Sequence, residues 1–160
     1  MSRAVLFVCL GNICRSPTAE GVFRELVNQH WPDNNLFIDS AGTTGYHAGE
    51  HADSRAISAA RHRGYDLSKI LSRQVRESDF EEFDLVIAMD QENHSNLVRL
   101  ATQTGNDHHV EKVKLFLDYS KQEAYKEVPD PYYGGSKGFD LVIDLIEDAS
   151  RGLITQLVSR

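Results

Sequence analysis

The sequence predicts a single α/β domain over residues 1–160, a three-layer sandwich in which helices flank a central parallel sheet of about four strands. Short apolar runs alternate along the chain with segments of helical periodicity, which is typical of a parallel sheet with helical crossovers. The 160 residues, 41% of them hydrophobic, are enough for one well-buried core and too few for two ordinary domains.

The first half of the chain supplies two predicted strands and two predicted helices. Residues 4–8, Ala-Val-Leu-Phe-Val, are the first apolar run, and apolar side chains recur with helical spacing over residues 18–27. Residues 36–39 predict the second strand. A helix over residues 54–61 is expected to end at Gly64, because glycine is common just beyond a helix C-terminus.

The second half repeats this pattern twice. Residues 85–89 are short and apolar enough for a strand that is buried on both faces, and a helix is predicted over 91–100. The fourth strand is predicted at 113–117 and a long last helix at about 139–157. The irregular stretch 118–138 is where functional loops are expected, together with the carboxyl ends of the strands, where ligands of parallel sheets bind.

The segment Cys-Leu-Gly-Asn-Ile-Cys-Arg-Ser, between the first strand and the first helix, predicts an anion-binding loop with a nucleophile in its floor. Such a turn directs backbone N–H groups and the positive end of the helix at one point. We expect this environment to hold Cys9 as a thiolate, and Arg15 to grip two phosphate oxygens with its planar guanidinium. Ser16 and Pro17 are predicted as the N-cap and the first-turn proline of the helix. The predicted phosphate-binding residues are Leu10, Gly11, Asn12, Ile13, Cys14 and Ser16.

The alternative is that Cys9 is a small core side chain at the end of a buried strand. Two neighbours argue for the anion site instead. Gly11 and Asn12 tolerate the unusual backbone angles that a tight anion-binding loop needs.

A thiolate nucleophile needs a proton donor to release an alkoxide or phenoxide, and Asp130 is our candidate. It lies in Val-Pro-Asp-Pro-Tyr-Tyr-Gly-Gly, residues 128–135, whose prolines stiffen the backbone and whose glycines let it turn over a site. Taken alone, Asp-Pro is also a turn signal without any chemistry.

Four well-separated segments of the chain carry one resemblance. They are Val-Cys-Leu-Gly-Asn-Ile-Cys-Arg-Ser-Pro, Asp-Ser-Ala-Gly-Thr, Ala-Met-Asp and Asp-Pro-Tyr-Tyr, at residues 8–17, 39–43, 88–90 and 130–133. Together they resemble the low-molecular-weight protein tyrosine phosphatases over essentially the whole chain. The resemblance implies hydrolysis of phosphotyrosine and aryl phosphates through a phosphocysteine on Cys9, with the aspartate of the last segment as general acid and base. It implies no metal and no organic cofactor.

Supporting roles follow from the same resemblance. Asn12 and Ser40 resemble the polar brace that keeps the family's loop in shape, although a purely local turn role is an equal alternative. The Ser16 hydroxyl can donate a hydrogen bond to the cysteine sulfur. Asp90, with Asn93 near it, either supports the site or simply caps a helix.

Three tyrosines, Tyr46, Tyr132 and Tyr133, are predicted to line the pocket walls. Aromatic walls above a deep floor favour phosphotyrosine over the shorter phosphoserine. The alternative is that they are exposed loop side chains without such a contact. One position departs from the family, in which relatives commonly carry a histidine where this chain has Ile70. The brace around Asn12 is therefore either incomplete or built differently.

Three rival functions are compatible with parts of this pattern. Thiol-dependent arsenate reductases share this fold and loop but need a relay cysteine far from the loop, whereas this chain has only Cys9 and Cys14. Protein-arginine phosphatases tend to carry threonine at the place of Ile13, and the apolar isoleucine favours an aromatic substrate. A non-enzymatic phosphotyrosine-binding module would be expected to have lost the nucleophile or the acid, so it ranks last.

Cys14 lies in the same loop as the nucleophile and is a candidate redox residue. Its thiol could condense with a sulfenic acid formed on Cys9 before irreversible oxidation. The alternative is that it only fills a small apolar space.

The net charge and the distribution of apolar residues indicate which binding partners and which cellular location to expect. A net charge of −7 argues against nucleic acid as a partner. There is no apolar run of about 18 residues and no signal-peptide pattern, so we expect no membrane association and a cytoplasmic protein. The expected partners are phosphotyrosine-containing proteins or small aryl phosphates, with inorganic phosphate and other oxyanions as inhibitors.

Metal binding is not expected. His47 and His51 lie four residues apart and His108 and His109 are adjacent, but neither pair has the further ligands that a zinc site needs. We expect all four to be surface histidines.

Overall fold

The computed structural model describes residues 3–132 and 134–159, along which strands alternate with helices. In chain order the elements are β1 (Arg3–Cys9), α1 (Arg15–His30), β2 (Leu36–Gly42), α2 (Ser54–His62), α3 (Asp79–Glu82), β3 (Leu85–Ala88), α4 (Gln91–Gln103), α5 (Asp107–Glu111), β4 (Val113–Leu115), a 3₁₀ helix (Phe116–Tyr119) and α6 (Ser136–Val158).

The four strands form one parallel sheet in the order β2-β1-β3-β4. In central β1, Val8 pairs with Ala41 on one side and with Ala88 on the other. The carboxyl ends of three strands therefore meet at one edge of the sheet. Loops that leave these ends lie side by side, which confirms the predicted fold class and places Cys9 at the expected edge.

Successive residues of β1 point to opposite faces of the sheet and enter two different cores. Phe7 packs on the α1, α2 and α6 side, where its ring centre lies 5.3 Å from that of Phe23. Leu6 packs on the other side with Phe80 and Leu97, from α3 and α4. Burying each such side chain contributes about 1.5–3 kcal/mol, so both helical layers hold the sheet in place.

The prediction that Ser16 is the N-cap of α1 is wrong. The helix begins at Arg15, its N-cap is Cys14, and no side chain caps it. Ser16 lies in the first turn of the helix, and its hydroxyl contacts Cys9 and Asn12 and does not cap a backbone N–H of the helix.

Several boundaries differ from the sequence prediction. The fourth strand ends at Leu115, and Phe116 turns into the core within a 3₁₀ helix. Helix α2 runs one residue further than predicted, and Gly64, with φ of +90°, follows it as expected. Helices α3 and α5 were not predicted, because four or five residues are too few to show helical periodicity. Throughout residues 3–132 and 134–159, no helix combines the length and the apolar character needed to span a bilayer.

The prediction of four surface histidines is wrong for His109. Its side chain is buried, with Nδ1 2.7 Å from Thr104 Oγ1 and its ring stacked on that of Phe80. His108 and His51 are exposed as expected, and His47 is half-buried. Among the described residues, no three His, Cys, Asp or Glu side chains gather as ligands of one metal ion.

Candidate active site

The loop between β1 and α1 is held from outside by the end of β2 and the residues after it. The N–H groups of Thr43 and Thr44 donate to the carbonyl oxygens of Cys9 and Leu10 at 2.9 and 3.0 Å. A Cβ atom on Gly42 would lie 2.8 Å from the Leu10 carbonyl oxygen, so glycine is required for this close approach. The loop is therefore shaped before any ligand arrives.

Within the loop, one residue adopts the left-handed backbone region. Asn12 has φ of 57°, which asparagine tolerates better than most residues. Gly11, for which unusual angles were also expected, does not have a positive φ. An added Cβ at this position would lie 3.1 Å from Cδ2 of His47, so a larger residue would require the His47 side chain to shift by a few tenths of an ångström.

The nucleophile candidate lies in the floor of a pocket of about 280 Å³. The side chain of Cys9 is buried, and its Sγ lies 3.0 Å from Ser16 Oγ. The pocket is lined by Cys9, Leu10, Gly11, Ile13, Cys14, Arg15, Tyr46, His47, Asp130 and Tyr132. The structure thus brings most of the predicted site residues together.

Arg15 is buried beside this pocket and is fixed by two acceptors. Its Nη1 donates to Asp90 Oδ2 at 2.6 Å and to the Val128 carbonyl at 3.1 Å. Burial alone would lower the pKa of Arg15, but the negative charge of Cys9 and the hydrogen bond to Asp90 outweigh it and raise this pKa above its ordinary value. The guanidinium therefore stays charged in a buried position.

Asp90 combines the two roles that the sequence left open. Its Oδ1 accepts the Asn93 backbone N–H at 2.7 Å and caps α4, while its Oδ2 holds Arg15. Asn93 reaches Asp90 through its backbone. Its side-chain Oδ1 is buried and has no hydrogen-bond partner among the described residues.

Asp130 lies at the pocket wall on the loop before α6. Its side chain is 43% exposed, and its Oδ2 lies 3.7 Å from Arg15 Nη2. Its Oδ1 accepts the N–H of Tyr132 at 3.0 Å. The Val128 N–H donates to the Met89 carbonyl at 2.9 Å, so the loop is anchored to the end of β3. An aspartate in this place can reach both the pocket and solvent.

Tyr46 and Tyr132 line the pocket as predicted, and Tyr46 is 88% exposed at its rim. Tyr132 is contacted by Arg55, whose guanidinium carbon lies 5.2 Å from the ring centre. Tyr133 lies outside the described residues. His47 was not predicted as a lining residue, and only its place beside Tyr46 in a glycine-containing loop could have indicated it.

The brace around Asn12 is complete and differs from the histidine-containing form. Its Nδ2 donates to Ser16 Oγ at 2.8 Å and to Ser40 Oγ at 3.0 Å, and its Oδ1 accepts the Arg73 backbone N–H at 3.0 Å. Ile70, at the place of the family histidine, packs against the core. The backbone of Arg73 was not foreseeable from sequence, because it is 61 residues from Asn12.

Cys14 also lines the pocket, and its thiol is buried. Burial, followed by the negative charge of Asp53, raises the pKa of Cys14 to about 12. At neutral pH this thiol is protonated, so Cys14 is a poor nucleophile.

Comparison with known proteins agrees with this geometry. The family model described as low molecular weight phosphotyrosine protein phosphatase matches residues 4–160. A putative low molecular weight protein-tyrosine-phosphatase of Synechocystis is 46% identical over 153 residues, which cover 96% of this chain and 95% of the relative.

Two solved structures show the same fold. A protein tyrosine phosphatase of Entamoeba histolytica, with Hepes in its active site, superimposes with a TM-score of 0.92 at 43% identity over 98% of this chain and 97% of the other. An arginine phosphatase of Drosophila superimposes with a TM-score of 0.89 at 28% identity over 96% of each chain. With a family model that matches nearly the whole sequence, the chain belongs to the low molecular weight phosphotyrosine protein phosphatase family.

Proposed function

We propose that this protein hydrolyses phosphotyrosine and other aryl phosphates through a phosphocysteine intermediate. The observation that carries the proposal is the position of Cys9 in the floor of a pocket, with Arg15 and Asp130 beside it. The chain's membership of a phosphatase family supports the same chemistry.

The reaction runs in two displacements. The Cys9 thiolate attacks phosphorus, and the bond between phosphorus and the phenol oxygen breaks as Asp130 donates a proton to that oxygen. Water then attacks the phosphocysteine, Asp130 takes a proton from it, and the thiolate leaves as inorganic phosphate forms. Arg15 and the loop N–H groups hold the phosphoryl oxygens in both steps.

The pocket walls support an aromatic substrate. Ile13, Tyr46 and Tyr132 offer apolar surface above the buried sulfur, which a flat ring fills and a phosphoserine side chain is too short to reach across. The proposed partners are therefore phosphotyrosine-containing proteins or small aryl phosphates. Inorganic phosphate and other oxyanions would compete for the same N–H groups and inhibit.

Two rival activities are separable by assay. The resemblance of fold to an arginine phosphatase makes phosphoarginine a necessary comparison, although Ile13 favours an aryl group. An arsenate reductase would need a second cysteine outside the loop, and the chain has none. We expect a phosphotyrosine peptide to be turned over at least tenfold faster than phosphoserine, phosphoarginine or arsenate in parallel assays. Faster turnover of any of these three would overturn the proposed substrate class.

A cytoplasmic location is proposed on chemical grounds. Cys9 must stay reduced to act, and both cysteines are free thiols. Thiols persist in reducing compartments. Fractionation of cells with an antibody to the protein would test this, and recovery in a secreted fraction would contradict it.

Substituting lysine for Arg15 is expected to lower kcat/KM for p-nitrophenyl phosphate by about 10²–10³-fold, the cost of one lost charge-stabilising donor. Lysine offers a point charge and cannot hold two oxygens with a planar fork. Arg61→Lys, an exposed change on α2, is the matched control and should leave kcat/KM unchanged. An Arg15→Lys enzyme with near-normal kcat/KM would remove Arg15 from the proposed mechanism.

Peroxide is expected to inactivate the enzyme reversibly. It oxidises the Cys9 thiolate to a sulfenic acid, and the Cys14 thiolate then attacks that sulfur and displaces hydroxide to form a disulfide. Because the pKa of Cys14 is about 12, its thiolate fraction, and so the rate of the second step, should rise about tenfold per pH unit between pH 6 and 8.

Mass spectrometry after a peroxide pulse measures this second step. Both the wild type and Cys14→Ser should lose activity, but only the wild type should form the disulfide and recover fully with a dithiol. Equal recovery of both proteins without a disulfide would leave Cys14 as a packing residue only.

A further inference from the structure

One buried carboxylate has no part in the mechanism above. Glu20 lies on α1 and is 6% exposed. Its Oε1 accepts the Ser40 hydroxyl at 2.6 Å, and its Oε2 accepts Arg24 Nη2 at 2.7 Å. Arg24 also donates to the Ile38 carbonyl at 2.8 Å. A buried carboxylate is costly to place, so its partners indicate what it does there.

The hydrogen bonds that start at Glu20 run without a break to the nucleophile. Glu20 holds Ser40, both Ser40 and Ser16 accept from the Asn12 amide group, and Ser16 contacts the sulfur of Cys9. Four of the five residues are more than nine-tenths buried polar side chains and the fifth is the buried cysteine.

The carboxylate fixes the direction of these hydrogen bonds. An ionised carboxylate only accepts, so Ser40 must give its hydrogen to Glu20 and can then only accept from Asn12. The Asn12 amide therefore turns its Nδ2 toward Ser40 and Ser16. Ser16, having accepted a hydrogen from Asn12, keeps its own hydrogen to donate.

Two acceptors compete for the Ser16 hydrogen. Cys9 Sγ lies at 3.0 Å, and the Ala41 carbonyl oxygen lies at 3.3 Å. The closer and charged thiolate is the stronger acceptor. With the opposite amide orientation, Ser16 would have to donate to Asn12 and would offer the sulfur only lone pairs.

Two groups therefore fix the orientation of the Asn12 amide. Arg73 donates its backbone N–H to Oδ1, and Glu20 acts on Nδ2 through Ser40. A backbone N–H cannot be removed by a side-chain substitution without moving the chain. Of the two groups that orient the Asn12 amide, the Glu20 side chain is therefore the one that mutagenesis can test.

We propose that Glu20 is a positioning residue that orients the Asn12 amide, and through it the Ser16 hydroxyl, so that Ser16 donates to the Cys9 thiolate. This inference rests on the proposed function only for the identity of the nucleophile. The titratable groups coupled to Cys9, namely Arg15 and the neutral thiol of Cys14, are left in place when Glu20 is replaced, as are His47 and Asp130 in the pocket wall. The charge of Glu20 itself is balanced by Arg24.

A double-mutant cycle between residues 20 and 16 tests the proposal. We expect Glu20→Leu, which removes both acceptors, to lower kcat/KM for p-nitrophenyl phosphate about tenfold, the order of one weakened hydrogen bond to a charged group. In a Ser16→Ala background the same change should cost less than about twofold, because the donor it acts through is gone. Glu20→Gln keeps one acceptor and should stay within about threefold of the wild type.

The second readout needs no substrate. The rate of Cys9 alkylation by iodoacetamide, followed by mass spectrometry from pH 4 to 9, reports when the thiolate forms. In the protein that has Ser16, Glu20→Leu should shift the pH at which Cys9 alkylation becomes fast to a higher value. In the Ser16→Ala background, the same substitution should leave that pH unchanged. Glu25→Leu is the matched control, since Glu25 accepts a surface hydrogen bond from Gln29, and it should change neither readout.

A general loosening of the loop would give a different result. Equal losses from Glu20→Leu in both backgrounds, or no loss in either, would overturn the proposal. Circular dichroism confirms folding of each variant, and if Glu20→Leu does not fold, the cycle is run with Glu20→Gln, whose smaller effect should likewise vanish in Ser16→Ala. Because alkylation is measured without turnover, the proposal can stand or fall whether or not aryl phosphates are the substrates.

Discussion

Replacing Cys9 by serine is expected to abolish turnover of aryl phosphates while leaving binding of inorganic phosphate or vanadate measurable. A serine hydroxyl is not ionised at neutral pH, so the covalent step has no nucleophile. The binding site should survive, because the hydrogen bonds that hold Arg15 to Asp90 and the loop to Thr43 and Thr44 do not involve the sulfur. Turnover of p-nitrophenyl phosphate and isothermal titration with phosphate measure the two effects separately.

The second cysteine provides the control for this experiment. Cys14→Ser makes the same chemical change in the same loop and should lose far less turnover than Cys9→Ser, since the protonated Cys14 thiol lines the pocket but takes no part in the displacement. Measurable turnover by Cys9→Ser would argue against a phosphocysteine intermediate. Loss of phosphate binding would show that the variant no longer forms the loop.

Asp130→Asn is expected to slow turnover by about 10²–10⁴-fold for substrates with poor leaving groups, the usual contribution of a general acid. Asparagine has the shape of aspartate and can still accept a hydrogen bond from the Tyr132 N–H, but its amide group is not acidic enough to protonate the leaving group. The loss should shrink as the phenol becomes more acidic, because a good leaving group departs without protonation.

A series of substituted phenyl phosphates measures this dependence. Glu123→Gln, an exposed carboxylate in the same irregular segment, is the control and should behave like the wild type across the series. A penalty of the same size for every phenol would mean that Asp130 only shapes its loop.

Local sequence signals predicted much of the fold and the centre of the site. The four strands are short apolar runs, and their order along the chain fixes which ends meet once the sheet is parallel. The nucleophile, the arginine and half of the other pocket residues belong to one continuous loop. Asp130 is distant in sequence; its segment of prolines and glycines made it a candidate, and the resemblance of that segment to a known family supported the choice.

The failures have a common physical cause, which is side-chain contacts made in the folded protein that local helix and turn signals do not report. Ser16 has the local features of an N-cap, but Cys9 and Asn12 hold its hydroxyl. His109 follows a turn and was expected at the surface, but Thr104 and Phe80 enclose it. Glu20 and Arg73 escaped notice for the same reason.

The hydrogen bond from Arg15 to the Val128 carbonyl links the arginine of the loop to the segment that carries Asp130. Val128 is two residues before Asp130, and Pro129 between them has a fixed φ. The segment that carries the proposed acid is therefore short and stiff, and it is hydrogen-bonded to the arginine proposed to hold the phosphate. A shift of residues 128–130 would displace Arg15, and a shift of Arg15 would displace Asp130 from the leaving group. A change in the backbone at Val128, more than a hundred residues from the nucleophile, should therefore alter leaving-group protonation and phosphate affinity together.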